Sequence, residues 1–166
     1  MKFSIGDLII YGETGVCRVE ALEERPFLGE ITNCFRLQPI YQSCVIYTPA
    51  DNSNVFMRHI LTCGEAEKLL EGFNDVTPAQ LPLGAPRVVS EAYDKIIKSH
   101  DCRELAGLIL AIHRKRKALI DSKKKLSAID ERFVKKAEDL LFGELAASLN
   151  LERSQIAEII IEKICL

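Results

Sequence analysis

The sequence predicts an α+β protein of two domains: a small five-stranded barrel of SH3 or Tudor type over residues 1–62, then an all-helical bundle over residues 63–166. Two observations carry this. Up to Arg58 the chain is a series of short apolar or alternating runs broken by tight turn signals, and from Val88 onward the apolar residues recur at helical spacing. A third is the charge. Residues 1–73 hold six Lys/Arg against ten Asp/Glu, the remainder sixteen against fourteen, a split that suits two modules with different partners.

The first hairpin is the most legible part. Leu8-Ile9-Ile10-Tyr11 is a β-branched and aromatic run, Gly12 and Gly15 bracket a turn, and Val16 to Leu22 resumes. In that second run Cys17, Val19 and Ala21 share one face and Arg18 and Glu20 the other. Residues 23–30 read as a charged loop with Pro26 and Gly29. Thr32 to Ile40 alternates again, Cys44 to Thr48 is a short run closed by Pro49, Asp51-Asn52-Ser53-Asn54 is a turn, and Val55 to Arg58 is a last strand. Five short strands enclose too little for a sandwich, and closing them into a barrel removes exposed edges.

Composition changes at Gly64. Glu65 to Phe73 forms a short helix, and residues 74–87, with Pro78, Pro82 and Pro86, form a semi-rigid linker. Val88 to Ser99 is a helix. Asp101 caps the next, whose apolar positions are Leu105, Leu108, Ile109, Ile112 and Leu119. Ser127, with Asp130 three residues on, caps a third, with Val134, Ala137, Leu141 and Leu145 inside. After Asn150 a fourth helix packs through Ile156, Ile159, Ile160 and Ile164.

With 48% hydrophobic residues the chain is not of the disordered class, and no apolar run approaches the roughly 20 residues of a membrane span. The start of the chain lacks the pattern of an export signal, so the six cysteines, with no C-x-x-C pair, read as reduced and mostly buried thiols of a cytoplasmic protein. Close ligand pairs for a metal are missing, the three histidines are scattered, and neither a phosphate-binding loop nor a nucleophile elbow occurs. No cofactor, small-molecule substrate or enzymatic activity is expected.

The order of parts resembles the CarD/CdnL family of bacterial transcription regulators. The resemblance is carried by Phe3-x-x-Gly6-Asp7, Tyr11-x-x-x-Gly15, Gly29-Glu30, Pro49 and Arg58. In the second half it is carried by Leu126-Ser127-Ala128 to Ala137, Leu141 and Gly143-Glu144-Leu145-Ala146. It implies a Tudor-like domain that binds the RNA polymerase β subunit, joined to a helical domain that contacts promoter DNA and modulates the open complex. It also implies a cytoplasmic protein held at the nucleoid through polymerase. Many members open the second domain with a Trp that wedges into the minor groove. This chain has no Trp, and its corresponding segment, Leu83 to Val89, has only Arg87 as a base and no aromatic ring. Several members carry a basic residue near the end of the fourth strand, where this chain has Tyr47.

On that resemblance Arg25, Tyr47 and Arg58 are the candidate polymerase contacts. The candidate DNA contacts are Arg87 and the cluster Arg114, Lys115, Arg116, Lys117, Lys123, Lys124 and Lys125, in which seven bases accompany one acid, Asp121. Such a cluster suits phosphates, whose neutralisation releases counterions, and binding would be weak and indifferent to sequence because no Asn or Gln beside it reads base edges. Two alternatives stand. Residues 144–157 imitate a helix-turn-helix with Ser154 and Gln155 opening a recognition helix, which would make a stand-alone repressor. Or the chain is a protein-interaction adaptor whose basic face never meets DNA.

Overall fold

A computed structural model describes residues 2–52 and 54–165, which divide into two compact units meeting at Ile60 and Leu61. The N-terminal unit is one antiparallel sheet of five strands, β1 (Leu8–Tyr11), β2 (Gly15–Phe27), β3 (Glu30–Pro39), β4 (Ile46–Pro49) and β5 (Met57–His59). Their order is β4-β3-β2-β1-β5. Among the described residues β4 and β5 are therefore the two edges, and the strand pairing does not show the closed barrel expected from sequence. At four and three residues these two strands each pair along one side only, with β3 and β1. Ser53 of the expected 51–54 turn lies outside the described residues.

The larger difference is at residues 23–30. No loop occurs there: β2 runs on to Phe27 and β3 starts at Glu30, with Arg25 opposite Thr32 and Phe27 opposite Glu30. Only Leu28 and Gly29 turn, both at positive φ (52° and 91°), the geometry of a two-residue hairpin turn matched to strand twist. The charged residues reflect exposure of both faces of this arm, which carry no core alternation to read. Pro26 fits because β1 has left the side of β2 by then. At the other end Phe3, Ile9, Cys17, Val19, Phe35, Leu37 and Met57 form the core.

The helical unit holds α1 (Cys63–Glu71), α2 (Pro86–Ser99), α3 (Cys102–Asp121), α4 (Ala128–Leu149) and α5 (Arg153–Cys165). Thr62 and Glu65 form a reciprocal capping box on α1, and the Asp101 carboxylate accepts from the Arg103 and Glu104 amides of α3. α2 starts two residues earlier than its apolar period, because Pro86 pre-sets helical φ at the first position. The expected inner positions of α3 and α4 are buried except Leu119, since α3 emerges from the core after Ile112. Ile156 and Ile160 of α5 are buried, while Ile159 and Ile164 are only partly so. All six cysteines are free, but only Cys17, Cys34 and Cys102 are buried; the expectation of mostly buried thiols fails for Cys44, Cys63 and Cys165. No helix of the described residues is long and apolar enough to cross a membrane.

The proline-studded stretch is not a free spacer. Val76, Ala79 and Leu81 pack on the helical core, and the Ala79 amide donates to Gly107 O at 3.0 Å. This close approach needs glycine on α3, because a Cβ at Gly107 would stand 2.7 Å from Thr77 O. Gly107→Ala is expected to destabilise the helical unit by about 1–3 kcal/mol, the usual range for overpacking. Urea unfolding followed by helical circular dichroism measures this; an unchanged midpoint would show that the segment yields freely.

Candidate functional site

On the sheet, two of the three expected contacts come together. The Arg25 guanidinium stacks on the Tyr47 ring, 3.9 Å from its centroid, reaching from β2 past β3 to the edge strand β4. Such stacking holds a long side chain in place while leaving its N–H groups able to donate. Around the pair, Arg25 meets Glu23 at 3.4 Å, and Arg36, opposite Tyr47 in the ladder, lies 3.3 Å from Glu20 and 3.7 Å from Glu23. Arg58 is not part of this group. It sits on β5, the opposite edge, and donates to His59 O at 3.0 Å.

Three residues that the sequence reading left unremarked sit at the tip of the β2–β3 arm. Phe27, Leu28 and Ile31 are 41, 94 and 75% exposed. Arg25 and Phe27 alternate on the same face of β2, so the stacked pair adjoins an apolar tip. The signal was there to find: Phe27 and Leu28 are large apolar residues within a stretch that is otherwise mostly charged.

The basic cluster divides into two sets. Lys115 donates to Asp130 Oδ2 at 2.7 Å, and Arg116 donates to Glu131 Oε2 at 2.9 Å. Arg116 also reaches His113 Nδ1 at 3.3 Å; a guanidinium only donates, so Nδ1 accepts and Nε2 carries its proton toward Glu138, 2.7 Å away. These side chains brace α3 against α4 rather than facing solvent freely. Arg114, Lys117, Lys123, Lys124 and Lys125 are exposed and make no side-chain bond among the described residues. They gather on the projecting end of α3 and the turn into α4. Arg87 lies apart, at the start of α2, paired with Glu91 at 2.8 Å.

Asp130 anchors the brace. It is 1% exposed and accepts from the Tyr93 hydroxyl at 2.7 Å as well as from Lys115. Burial pushes its carboxyl up, but the bonds from Lys115, Tyr93 and Ser127 and the charge of Lys115 outweigh that and hold it below the ordinary carboxylate range. Burial and the adjacent carboxylate together push the Tyr93 hydroxyl far above its ordinary value. The capping box expected at Ser127 is half made: Ser127 Oγ accepts the Asp130 amide, while the Asp130 carboxylate serves Tyr93 and Lys115. The helix-turn-helix residues Ser154 and Gln155 are exposed at the start of α5, and Gln155 Oε1 accepts the Glu152 amide. Among the described residues no group of three or more His, Cys, Asp or Glu is placed to hold a metal.

Residues 3–61 match the family model described as the CarD-like/TRCF RID domain, the RNA polymerase-interacting domain found in CarD-like proteins. The match takes in the whole sheet, Arg25, Tyr47 and the hairpin tip, and ends at the first residue of the helical unit.

The lowered carboxyl of Asp130 gives stability that is full above its unfolded value, about 3.9, and is lost as pH falls through the folded value. Wild-type helical unit should therefore lose urea resistance steadily below about pH 4, and Asp130→Asn should lose less over the same interval. Identical slopes for the two proteins would remove Asp130 from the acid response.

Proposed function

We propose, taking residues 3–61 as an RNA polymerase-interacting domain, that this chain is a non-enzymatic transcription regulator that docks on the polymerase β subunit and touches promoter DNA through its helical unit. The observation that carries the first half is the Arg25–Tyr47 stack beside the exposed Phe27, Leu28 and Ile31, in a domain of a polymerase-binding family. An aromatic-backed arginine beside apolar surface has the makeup of an interface anchor. The edge strand β4 and the uncovered flank of the β2–β3 arm suit pairing with a partner strand. A small Tudor-like module needs no catalytic group for this, and regulation follows from binding alone. The protein would work in the cytoplasm, at the nucleoid with polymerase.

The second half rests on the five exposed, unpaired cations at the α3–α4 corner. They suit phosphates and lack a reader of base edges, so the contact is positional and independent of sequence. Holding the melted promoter better than the closed one shifts that equilibrium toward the open complex. The absence of a Trp removes the minor-groove wedge of many CarD-like proteins, and leaves phosphate contact as the main interaction. The adaptor reading keeps one specific support, the internal pairing of Lys115 and Arg116, which lowers the charge available to DNA. A helix-turn-helix repressor is less favoured because α4 is 22 residues long and α5 spends Ile156 and Ile160 on packing.

Arg25→Glu should weaken binding to isolated β subunit by at least about tenfold while the helical unit stays folded. Calorimetry decides, and unchanged affinity would take Arg25 out of the interface. For DNA, changing Lys117, Lys123, Lys124 and Lys125 to Ala should weaken binding equally on unrelated sequences, and the salt slope should flatten from about −4.5 toward −1 as phosphate contacts fall from five to one. Ser154→Ala should change nothing. Tight binding to one operator, lost with Ser154 or Gln155, would favour the repressor; no binding at low salt with or without polymerase would leave the adaptor.

A further inference from the structure

The chain passes from sheet to helices with almost no slack. The Ile60 amide still donates to Leu8 O at 3.3 Å within the N-terminal unit. The next amide, that of Leu61, donates to Glu144 Oε1 at 2.9 Å within the helical unit. The one after it, Thr62, donates to Glu65 Oε2 at 2.8 Å in the capping box of α1. Three successive amides are each committed to a partner.

The middle partner is the unexpected one. Glu144 lies on α4 and is only 2% exposed; its Oε2 also accepts from the buried Cys102 thiol at 3.2 Å. A carboxylate taken out of water is costly unless it is well bonded, and an apolar side chain would fill the same place in α4 without that cost. What the carboxylate adds is a fixed acceptor for the first amide of the helical unit. Asp130 has a comparable role as a buried acceptor, but it joins helices to one another, whereas Glu144 holds the incoming chain.

We infer that Glu144 is a positioning residue that clamps the chain where it enters the helical unit, keeping the tether between the polymerase-docking and DNA-contacting units at its shortest. This rests on the function proposed above. α1 is held to the helical core from Ala66 onward, by Ala66 and Leu69 and by Phe73 just beyond it, so the Leu61 bond bears chiefly on the entering segment 61–65 that precedes those anchors. Release of 61–65 would add about five residues of loose chain to the tether, up to the first core anchor Ala66. The second of two linked binding events then occurs at lower effective concentration, which falls with roughly the 3/2 power of tether length. The clamp thus sets how strongly polymerase binding promotes DNA contact, without touching either partner.

Two readouts on the full-length chain test it, using Glu144→Ala and Glu144→Gln. Exchange of the Leu61 amide, followed by NMR, should speed by about tenfold or more in Glu144→Ala, with the α3 and α4 core amides unchanged. Glu144→Gln keeps an Oε1 acceptor and should restore protection. In the second readout, β-subunit affinity should be unaltered in Glu144→Ala. The further gain in affinity for a polymerase–promoter complex over polymerase alone should drop on the order of tenfold. Unchanged Leu61 exchange, or equal loss of protection across the whole helical unit, would overturn the clamp. Faster Leu61 exchange with the promoter gain intact would overturn its role in the tether. A wild-type chain that gains nothing from promoter DNA would instead sink the proposed function, and the clamp would be judged on exchange alone.

Discussion

Burying a carboxylate costs several kcal/mol unless its charge is met and its lone pairs are filled, and the helical unit meets that demand at Asp130 by drawing on three helices. Tyr93 comes from α2, Lys115 from α3, and Asp130 itself from the first turn of α4, where the Ser127 cap fixes the backbone. The geometry of each helix is therefore tied to the other two at one point. Apolar packing around Leu108, Ile109, Ala137 and Leu141 supplies most of the cohesion but is tolerant of small slides. A charged network with short, directional bonds is not.

This constraint also shapes the surface. Lys115 and Arg116 take up Asp130 and Glu131 of α4, and the remaining cations of the cluster make no ion pair among the described residues. A run of seven bases in sequence becomes an inner brace and an outer corner of positive charge. Within α3 the helical period sets Lys115 and Arg116 toward Asp130 and Glu131, while Lys123, Lys124 and Lys125 lie in the turn beyond its end.

How much of this could be read from the chain follows from the reach of the signals. The α3 and α4 caps were legible because Asp101 and Ser127 act within three residues, and the inner faces of those helices because their period is regular. The β2–β3 arm was misread as a loop because both of its faces are wet, so Arg25, Phe27 and Ile31 show no burial alternation. The Arg25–Tyr47 stack spans 22 positions in sequence, and no local pattern encodes it. The split of the basic cluster depended on where Asp130 and Glu131 come to lie, across a turn whose path is set by packing. Glu144 looked like one letter of a family motif; that it serves Leu61, 83 positions earlier, is visible only in three dimensions.

The uncovered β2–β3 arm has a consequence for the protein away from its partner. From about Ala21 to Phe27 no strand among those described pairs with β2 on the side that β1 has left, and the tip is apolar. An exposed, extended edge of this kind is a template for pairing with a second copy and, at high concentration, for aggregation. The arm carries its own deterrents. Pro26 removes one amide donor from the edge, and Glu23, Glu24 and Glu30 would set like charges against each other if two arms aligned. The excess of acidic residues over the first part of the chain therefore opposes alignment of one such arm with another.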